Sequence, residues 1–293
     1  MSAIGMTTSV PAVRRDTVLW RLAATETGRY ARHPLFIVGV LLTLLGLQPD
    51  PKTSSFYNVI VPGAALGVLG LVAMASMTRN ARTLSRSAGA VPVPEHVQTL
   101  ALALSCLLPF GVGLLWYAWN VWLFHHYPPP SHGFPFGPVT ESWKLAVLFG
   151  GGPMAALGGP LLGVVIGRWW PRRGVAPMSA VLLVSLVIVF QGLFEPLLRV
   201  RVVMPWTYFG GPFGADGDPN RMVLHSGSPQ WWVGYLVCLC GLAVVAALWH
   251  DREARTSRLR AVGAVLLAAA IVTCLLAMFT GIDHTLVNPL PSS

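Results

Sequence analysis

Apolar residues in this chain are gathered into runs rather than alternated with polar ones. The runs lie at about 34–48, 58–77, 99–124, 143–167, 177–198, 230–249 and 261–281, with polar connections between them. Most reach the ~20 residues that an α-helix needs to cross the hydrocarbon core of a bilayer. The first is short and is expected to borrow Tyr30 to His33 at its inner end. A soluble helix would carry polar side chains around part of its circumference, so this pattern predicts an all-α polytopic membrane bundle of about seven spans, or six where one run is re-entrant. The spans occupy 34–281, leaving 1–33 as an amino-terminal segment and 282–293 as a tail.

The segment before the first span has a different pattern. In RLAATETGRYARHPLFIVGVLLTLL, residues 21–45, charged and apolar residues are separated along the chain, with His33 and Pro34 at the boundary. Wound as a helix, Arg21, Thr25, Arg29 and Arg32 make a polar stripe, while Leu19, Leu22, Ala23 and Tyr30 make the opposite face with Glu26 among them. Such a helix is expected to lie in the membrane interface with its arginines toward headgroups or water. Glu26 sits on the wrong face for lipid, which calls for a protein partner or an ion pair with Arg29 three residues on.

Composition agrees with a membrane protein: 54% of residues are hydrophobic and 11% charged, against about a quarter charged in soluble domains. Arginine and lysine then choose an orientation. Arg14, Arg15, Arg21, Arg29 and Arg32 precede the first span, Arg79, Arg82 and Arg86 follow the second, Arg168, Arg172 and Arg173 the fourth, and Arg252, Arg255, Arg258 and Arg260 the sixth. Only Lys52, Lys144, Arg199, Arg201 and Arg221 fall on the other side, so the two sides carry 15 and 5 basic residues. The positive-inside rule places the amino terminus in the cytoplasm and, with seven spans, the carboxy terminus outside, in the cell membrane. The net charge of +9 is read as topology and attraction to anionic lipid, not as a nucleic-acid surface. No secretory leader is expected, because the first apolar run has no small-residue cleavage pattern after it. Cys106, Cys238, Cys240 and Cys274 all fall within predicted spans, and are read as small buried residues rather than as disulfides or metal ligands.

Two loops and two spans carry candidate chemistry. HHYPPPSHGFPFGP, residues 125–138, reads as a stiff interfacial connector. Its His125, His126 and His132, with Glu141 nearby, raise a metal reading, but adjacent histidines seldom aim at one ion and no helical H-x-x-x-H spacing is present. DGDPN, residues 216–220, starts like an EF-hand loop, yet Arg221 and Gly227 stand where glycine and a bidentate glutamate are required, so a turn is the better reading. The fourth run, FGGGPMAALGGPLLGVVIG from Phe149, contains Pro153 and Pro160 and many glycines. It is either a broken helix lining a cavity or a kinked helix packed tightly. Gly159, Gly163 and Gly167 recur every four residues, as do Gly63 and Gly67 in the second run, leaving flat strips for helix packing. In the fifth run Gln191, Glu195 and Arg199 follow at four-residue spacing and share one helical face near its outer end. They form either a structural ion pair or an external gate to a transport path.

Nucleotide and hydrolase signatures are absent: there is no G-x-x-x-x-G-K-[ST], H-E-x-x-H, G-x-S-x-G or strand-to-helix G-x-G-x-x-G. No cofactor, metal or catalytic residue is assigned. The stretch TETGRYARHPLF, with Glu26, Arg29, Arg32, Pro34 and Phe36, and the arginine-rich loop TRNARTLSRSAGAVPVPEHVQTLAL resemble the membrane subunits of ABC-2 type transporters, particularly actinobacterial permeases. The resemblance covers about the first 110 residues. It implies an interfacial connecting helix and a coupling helix, within 78–97, that docks on a separate ATPase. Those permeases have six spans and both termini in the cytoplasm, so seven spans depart from the pattern.

The expected function is therefore the permease subunit of an ATP-driven exporter, working as a homodimer or heterodimer in contact with lipid. Arg79, Arg82, Arg86 and Glu95, supported by Glu26, are its coupling residues. The alternatives are a membrane-embedded enzyme with an external metal or acid–base site drawn from His125, His126, His132, Glu141, Asp283 and His284, and a scaffold that assembles other membrane proteins through its glycine strips.

Overall fold

The computed structural model describes residues 15–47, 59–87, 93–126, 140–192, 199–211, 222–284 and 286–288. It is a helical bundle, with five helical segments long and apolar enough to cross a membrane: Ile60–Ala81, Glu95–Leu123, Glu141–Trp169, Pro229–Leu248 and Ser257–Phe279. The chain is thus a membrane-embedded, multi-pass protein. Two further apolar helices, Pro34–Leu45 and Val175–Gln191, are shorter.

Helix α1 (Arg15–Ala31) ends before Pro34, and α2 (Pro34–Leu45) begins there. Proline disfavours helical geometry in the residue before it and has no N–H to contribute, so it ends one helix and suits the first position of the next. His33 caps α2, its Nδ1 accepting from the Leu35 N–H at 3.3 Å. The first span does not borrow Tyr30 to His33 as the sequence suggested. Tyr30 belongs to α1, is fully buried, and packs its ring at a tilt on that of Phe36, with centroids 4.8 Å apart. At ~1.5 Å per residue, the 12 residues of α2 cover only about 18 Å.

α3 (Ile60–Pro62) passes through a π-helical turn, Gly63–Val68, into α4 (Leu69–Ser87). α4 continues well past its apolar run, because no glycine or proline interrupts it before Gly89. Much of the predicted 78–97 loop is therefore helix. α5 (Glu95–Ser105) and α6 (Leu107–His126) form one long helix interrupted at Cys106, where Pro109 has no N–H to offer the Ser105 carbonyl. α7 (Glu141–Phe149), capped by Thr140, passes through a second π turn, Gly150–Met154, into α8 (Ala155–Trp169). Both π turns adjoin the same pattern, Pro-Gly-Ala-Ala-Leu-Gly at 62–67 and Pro-Met-Ala-Ala-Leu-Gly at 153–158.

α4 and α8 run parallel and pack along their length. A Cβ on Gly159 would stand 2.1 Å from the Gly67 carbonyl oxygen, and one on Gly163 2.3 Å from that of Leu71. The backbones touch, and only glycine permits it. At Gly167 the nearest atom would be the Thr78 Cβ at 2.6 Å, and at Gly67 the Ala155 oxygen at 2.9 Å, whereas at Gly63 a Cβ would meet Ala155 and Trp206 at an ordinary 3.6 Å. The glycines of the second π turn are filled against rings: Trp232 covers Gly150 and Trp116 covers Gly152. The span is continuous through a widened π turn, and its Gly159, Gly163 and Gly167 face packs tightly on α4.

α9 (Val175–Gly192) lies on α4 and α8, α10 (Pro229–Leu248) on α8, and α11 (Ser257–Phe279) against α10. One end of the bundle gathers the arginine-rich connections: the α1–α2 junction, the end of α4, the start of α5, the α8–α9 turn and the α10–α11 turn. The opposite end carries an addition to the helical pattern. A three-stranded antiparallel sheet joins β1 (Gly210–Gly211), β2 (Met222–Leu224) and β3 (Leu286–Asn288) in that order. Part of the tail expected beyond the last span is thus a strand, with Val287 opposite Val223.

Candidate functional site

At the arginine-rich end, side chains distant in sequence converge on the first turn of α5. Pro94 precedes that turn and Glu95 opens it, an acidic residue where the helix dipole favours one. Glu95 Oε1 lies 2.7 Å from His250 Nδ1 and accepts from Arg168 Nη1 at 3.4 Å. Arg168, in the last turn of α8, is 1% exposed. A guanidinium so placed is tolerable only beside a carboxylate and further acceptors. The next residue, His96, meets the same connection: its backbone N–H donates to Asp251 Oδ2 at 3.0 Å and its Nδ1 lies 3.1 Å from the same oxygen. Asp251 Oδ1 also accepts from the Glu253 N–H at 3.0 Å. Burial works against ionising Asp251, but the bonds from the Glu253 N–H and from His96 outweigh it and hold the carboxyl below its usual range. Trp169 places its ring edge-on to His250 and donates its indole N–H to the Ala246 carbonyl at 2.9 Å. The start of α5, the end of α8 and the α10–α11 turn are therefore held as one unit.

α1 joins this end by its apolar face, which packs on α5. The polar stripe of Arg21, Thr25, Arg29 and Arg32 is exposed, while Ala23, Glu26 and Tyr30 are buried. α1 thus rests on protein along the face that holds Glu26, and Glu26 takes both contacts from Arg29 Nη1, at 2.9 and 3.1 Å. A cavity of about 180 Å³ lies beside this pair, lined by Leu22, Ala81, Val93, Gln98 and Leu102 as well. Arg79 is half-buried in α4. Arg82 and Arg86 lie on the last turns of the same helix, their side chains outside the described residues. Of the five expected coupling residues, the structure puts Glu95 at the centre of a polar knot and Glu26 beside a small cavity next to it.

The residues expected to form sites at the opposite end are described only in part. α9 is described as far as Gly192 and Arg199 stands at the mouth of a 3-10 turn, Val200–Val203, while residues 193–198 between them lie outside the described residues. Gln191 reaches the Trp206 carbonyl at 3.5 Å, and the carboxylate next to Arg199 is Asp283, at 3.6 Å. Glu195 lies outside the described residues, as do His132 and the DGDPN turn. His125 and His126 bond back to the carbonyls of Val121 and Trp122 in their own helix. His125 is 3.8 Å from Glu141, both exposed, and Glu141 also meets Lys144 at 3.2 Å. Asp283 and His284 are exposed. Among the described residues, the one trio with ligand atoms within 4.8 Å of one another is His96, Asp251 and Glu253, at the arginine-rich end. The external acid–base or metal site therefore has no assembled geometry in the described structure.

This end is instead built around Arg201, 1% exposed. Its guanidinium reaches the Ser226 carbonyl at 3.4 Å and lies 5.9 Å from the centre of the Phe209 ring, while its own carbonyl accepts from the Thr207 hydroxyl. Burial, with the Arg201 cation nearby, pushes His225 down to about 3.

His96, Arg168, His250 and Asp251 were not singled out from the sequence as site residues. Arg168 reads there as a topology-setting charge, and nothing local links α5 to residues 155 positions away. The N-terminal placement of Glu95 was the one usable signal. No family model, curated protein or solved structure matches this chain.

Proposed function

We propose that the chain is the membrane-spanning permease subunit of an ATP-driven exporter, with seven spans and its arginine-rich end in the cytoplasm. The shorter α2 and α9 complete the seven. Orientation follows from the excess of arginine at one end. ATP is hydrolysed in a separate subunit, in keeping with the lack of a nucleotide-binding signature, and two permease chains work together in the cell membrane.

The observation that carries the reading is the knot at Glu95. A partner docking on the end of α4, near Arg79, Arg82 and Arg86, pushes on the connection that leads into Glu95 and His96. Those residues are tied to α8 through Arg168 and to the α10–α11 turn through His250 and Asp251. A displacement of that one connection therefore moves three spans together, which is what coupling of ATP binding to a permease requires. α1 packs on α5 and so rests against the same unit, with the Glu26–Arg29 pair closed within α1 itself.

Affinity purification of the full chain from its native membrane tests this directly. An ATPase subunit in fixed ratio is the expected result, with hydrolysis lost on its removal. Joint replacement of Arg79, Arg82 and Arg86 by alanine is expected to release that subunit, while joint replacement of Arg258 and Arg260 retains it. Equal release by both would reduce the contact to general basicity, and recovery of an unrelated membrane protein without ATPase activity would point to a scaffold.

A further inference from the structure

A groove of about 340 Å³ runs over α8 between α9 and α10. Gly158, Leu162 and Val165 form its floor, Leu183 one wall, and the α10 side chains from Leu236 to Ala246 the other, with Trp206 at its inner end. No charged residue lines it. An apolar channel of this kind gives water no hydrogen-bond partners.

We propose that this groove holds one acyl chain of an anionic phospholipid, with the headgroup at Arg172 and Arg173. Length is the first argument. From Leu236 to Ala246 the wall extends about 15 Å at the rise of an α-helix, which is half of a ~30 Å hydrocarbon core and therefore one leaflet. A helix from a second copy would run the whole depth of the core, about twice the length of the groove. Charge is the second argument. The groove ends at the arginine-rich end, where Trp169 bridges α8 to α10 through the Ala246 carbonyl. The α8–α9 turn, closed by Gly174 at φ +90°, exposes Trp170, Arg172 and Arg173 there. An indole at headgroup depth beside two guanidiniums is the chemistry that holds a phosphate at an interface.

Gly158 gives a direct way to fill the groove. A Cβ there meets only the Cys240 Sγ, at an ordinary 3.8 Å, so Gly158→Leu places its side chain in the groove and leaves the α4–α8 seam untouched. The purified chain is mixed with phosphatidylglycerol or with phosphatidylcholine of the same acyl composition, and bound lipid is read by native mass spectrometry. The wild type is expected to retain one phosphatidylglycerol and to hold phosphatidylcholine less well. Joint replacement of Arg172 and Arg173 by alanine is expected to weaken phosphatidylglycerol roughly thirtyfold, toward the phosphatidylcholine level. Gly158→Leu is expected to lose both lipids.

In parallel, phosphatidylglycerol carrying a photoreactive group in its acyl chain is crosslinked to the wild-type chain. Labels on α8 and α10 around Leu162 and Leu239 are expected, and this arm does not depend on any variant folding. Labels confined to other helices, equal retention of the two lipids, or unchanged lipid in Gly158→Leu would each overturn the proposal. So would a change of oligomeric state in Gly158→Leu with lipid retained, since the groove would then be an interface between copies.

Discussion

The segment Glu141–Trp169, which α8 completes, and helix α11 are both apolar and both long enough to cross a bilayer, yet their most apolar stretches are 61% and 11% buried, respectively. Apolar character does not decide burial, since the more apolar α11 is the less buried and lipid tails are as apolar as the bundle interior. What separates them is the shape of the surface each presents. α8 shows Gly159, Gly163 and Gly167 to α4 and lets two backbones meet. α11 shows Val262, Val265, Ile271, Val272 and Phe279 outward, all exposed, and packs chiefly on α10. In this protein steric fit decides which apolar helix is central, and the few buried charges decide how the ends are tied.

The sharpest way to break that contrast is to spoil the fit. With Gly163→Val a Cβ would fall 2.3 Å from the Leu71 carbonyl oxygen, a backbone atom that cannot swing aside. The two helices must then separate, at a cost of about 3 kcal/mol or more. Loss of monodisperse protein in detergent is the expected outcome. A variant as stable as the wild type in thermal denaturation would show that the α4–α8 seam is not the centre of the bundle.

The next effect lies in the knot. Arg168→Gln removes the guanidinium beside Glu95, and Glu95→Gln leaves the buried Arg168 without its carboxylate. Breaking a fully buried pair costs ~3–5 kcal/mol. The Glu95 side chain is 33% exposed, so about 1–3 kcal/mol is expected here for each change. The double variant should cost less than the two singles added, since the interaction is lost only once. Strict additivity in thermal shifts would mean that the two side chains do not act on one another.

Much of this architecture was legible in the sequence, and the illegible part has a physical reason. Each long apolar run marks a helix, since backbone groups in lipid must be satisfied within their own segment. The four-residue recurrence of Gly159, Gly163 and Gly167 is a local signal for close approach, and Glu26 with Arg29 is a local pair. The knot was not legible, because His96 and Asp251 are 155 residues apart and neither carries a pattern. Glu95 was named there as a coupling residue, but without the partners that hold it. The β-sheet was missed for a similar reason: strands of two or three residues have no measurable periodicity.

The two ends of the bundle should also part company in acid. His225, at the sheet end, titrates near ~6.5 in an unfolded chain and is pushed down to about 3 by burial beside Arg201. Because its folded value is depressed, its contribution is complete above ~6.5 and is lost as pH falls toward the folded value. Between pH 7 and pH 5 the loss is expected to be ~1–2 kcal/mol, and His225→Leu should flatten it. Asp251, at the arginine-rich end, is likewise depressed, but as a carboxyl it keeps its contribution until pH falls below ~3.9. Melting curves at pH 7 and pH 5 distinguish the two: a decline unaffected by His225→Leu would place the acid-sensitive group elsewhere.

The smallest effect is predicted where the contrast began. Val265 lies on α11 with 68% of its surface exposed. On a soluble protein such an apolar residue would face water, and shortening it would remove an unfavourable contact. Here the surroundings are lipid, so Val265→Ala exchanges one apolar contact for another and leaves the α10–α11 packing as it was. A change within about ±0.5 kcal/mol is expected, with no loss of monodisperse protein. A large destabilisation from Val265→Ala, comparable to that of Gly163→Val, would show that α11 has a protein surface against it, and the outer rank of the bundle would then extend into a neighbouring chain.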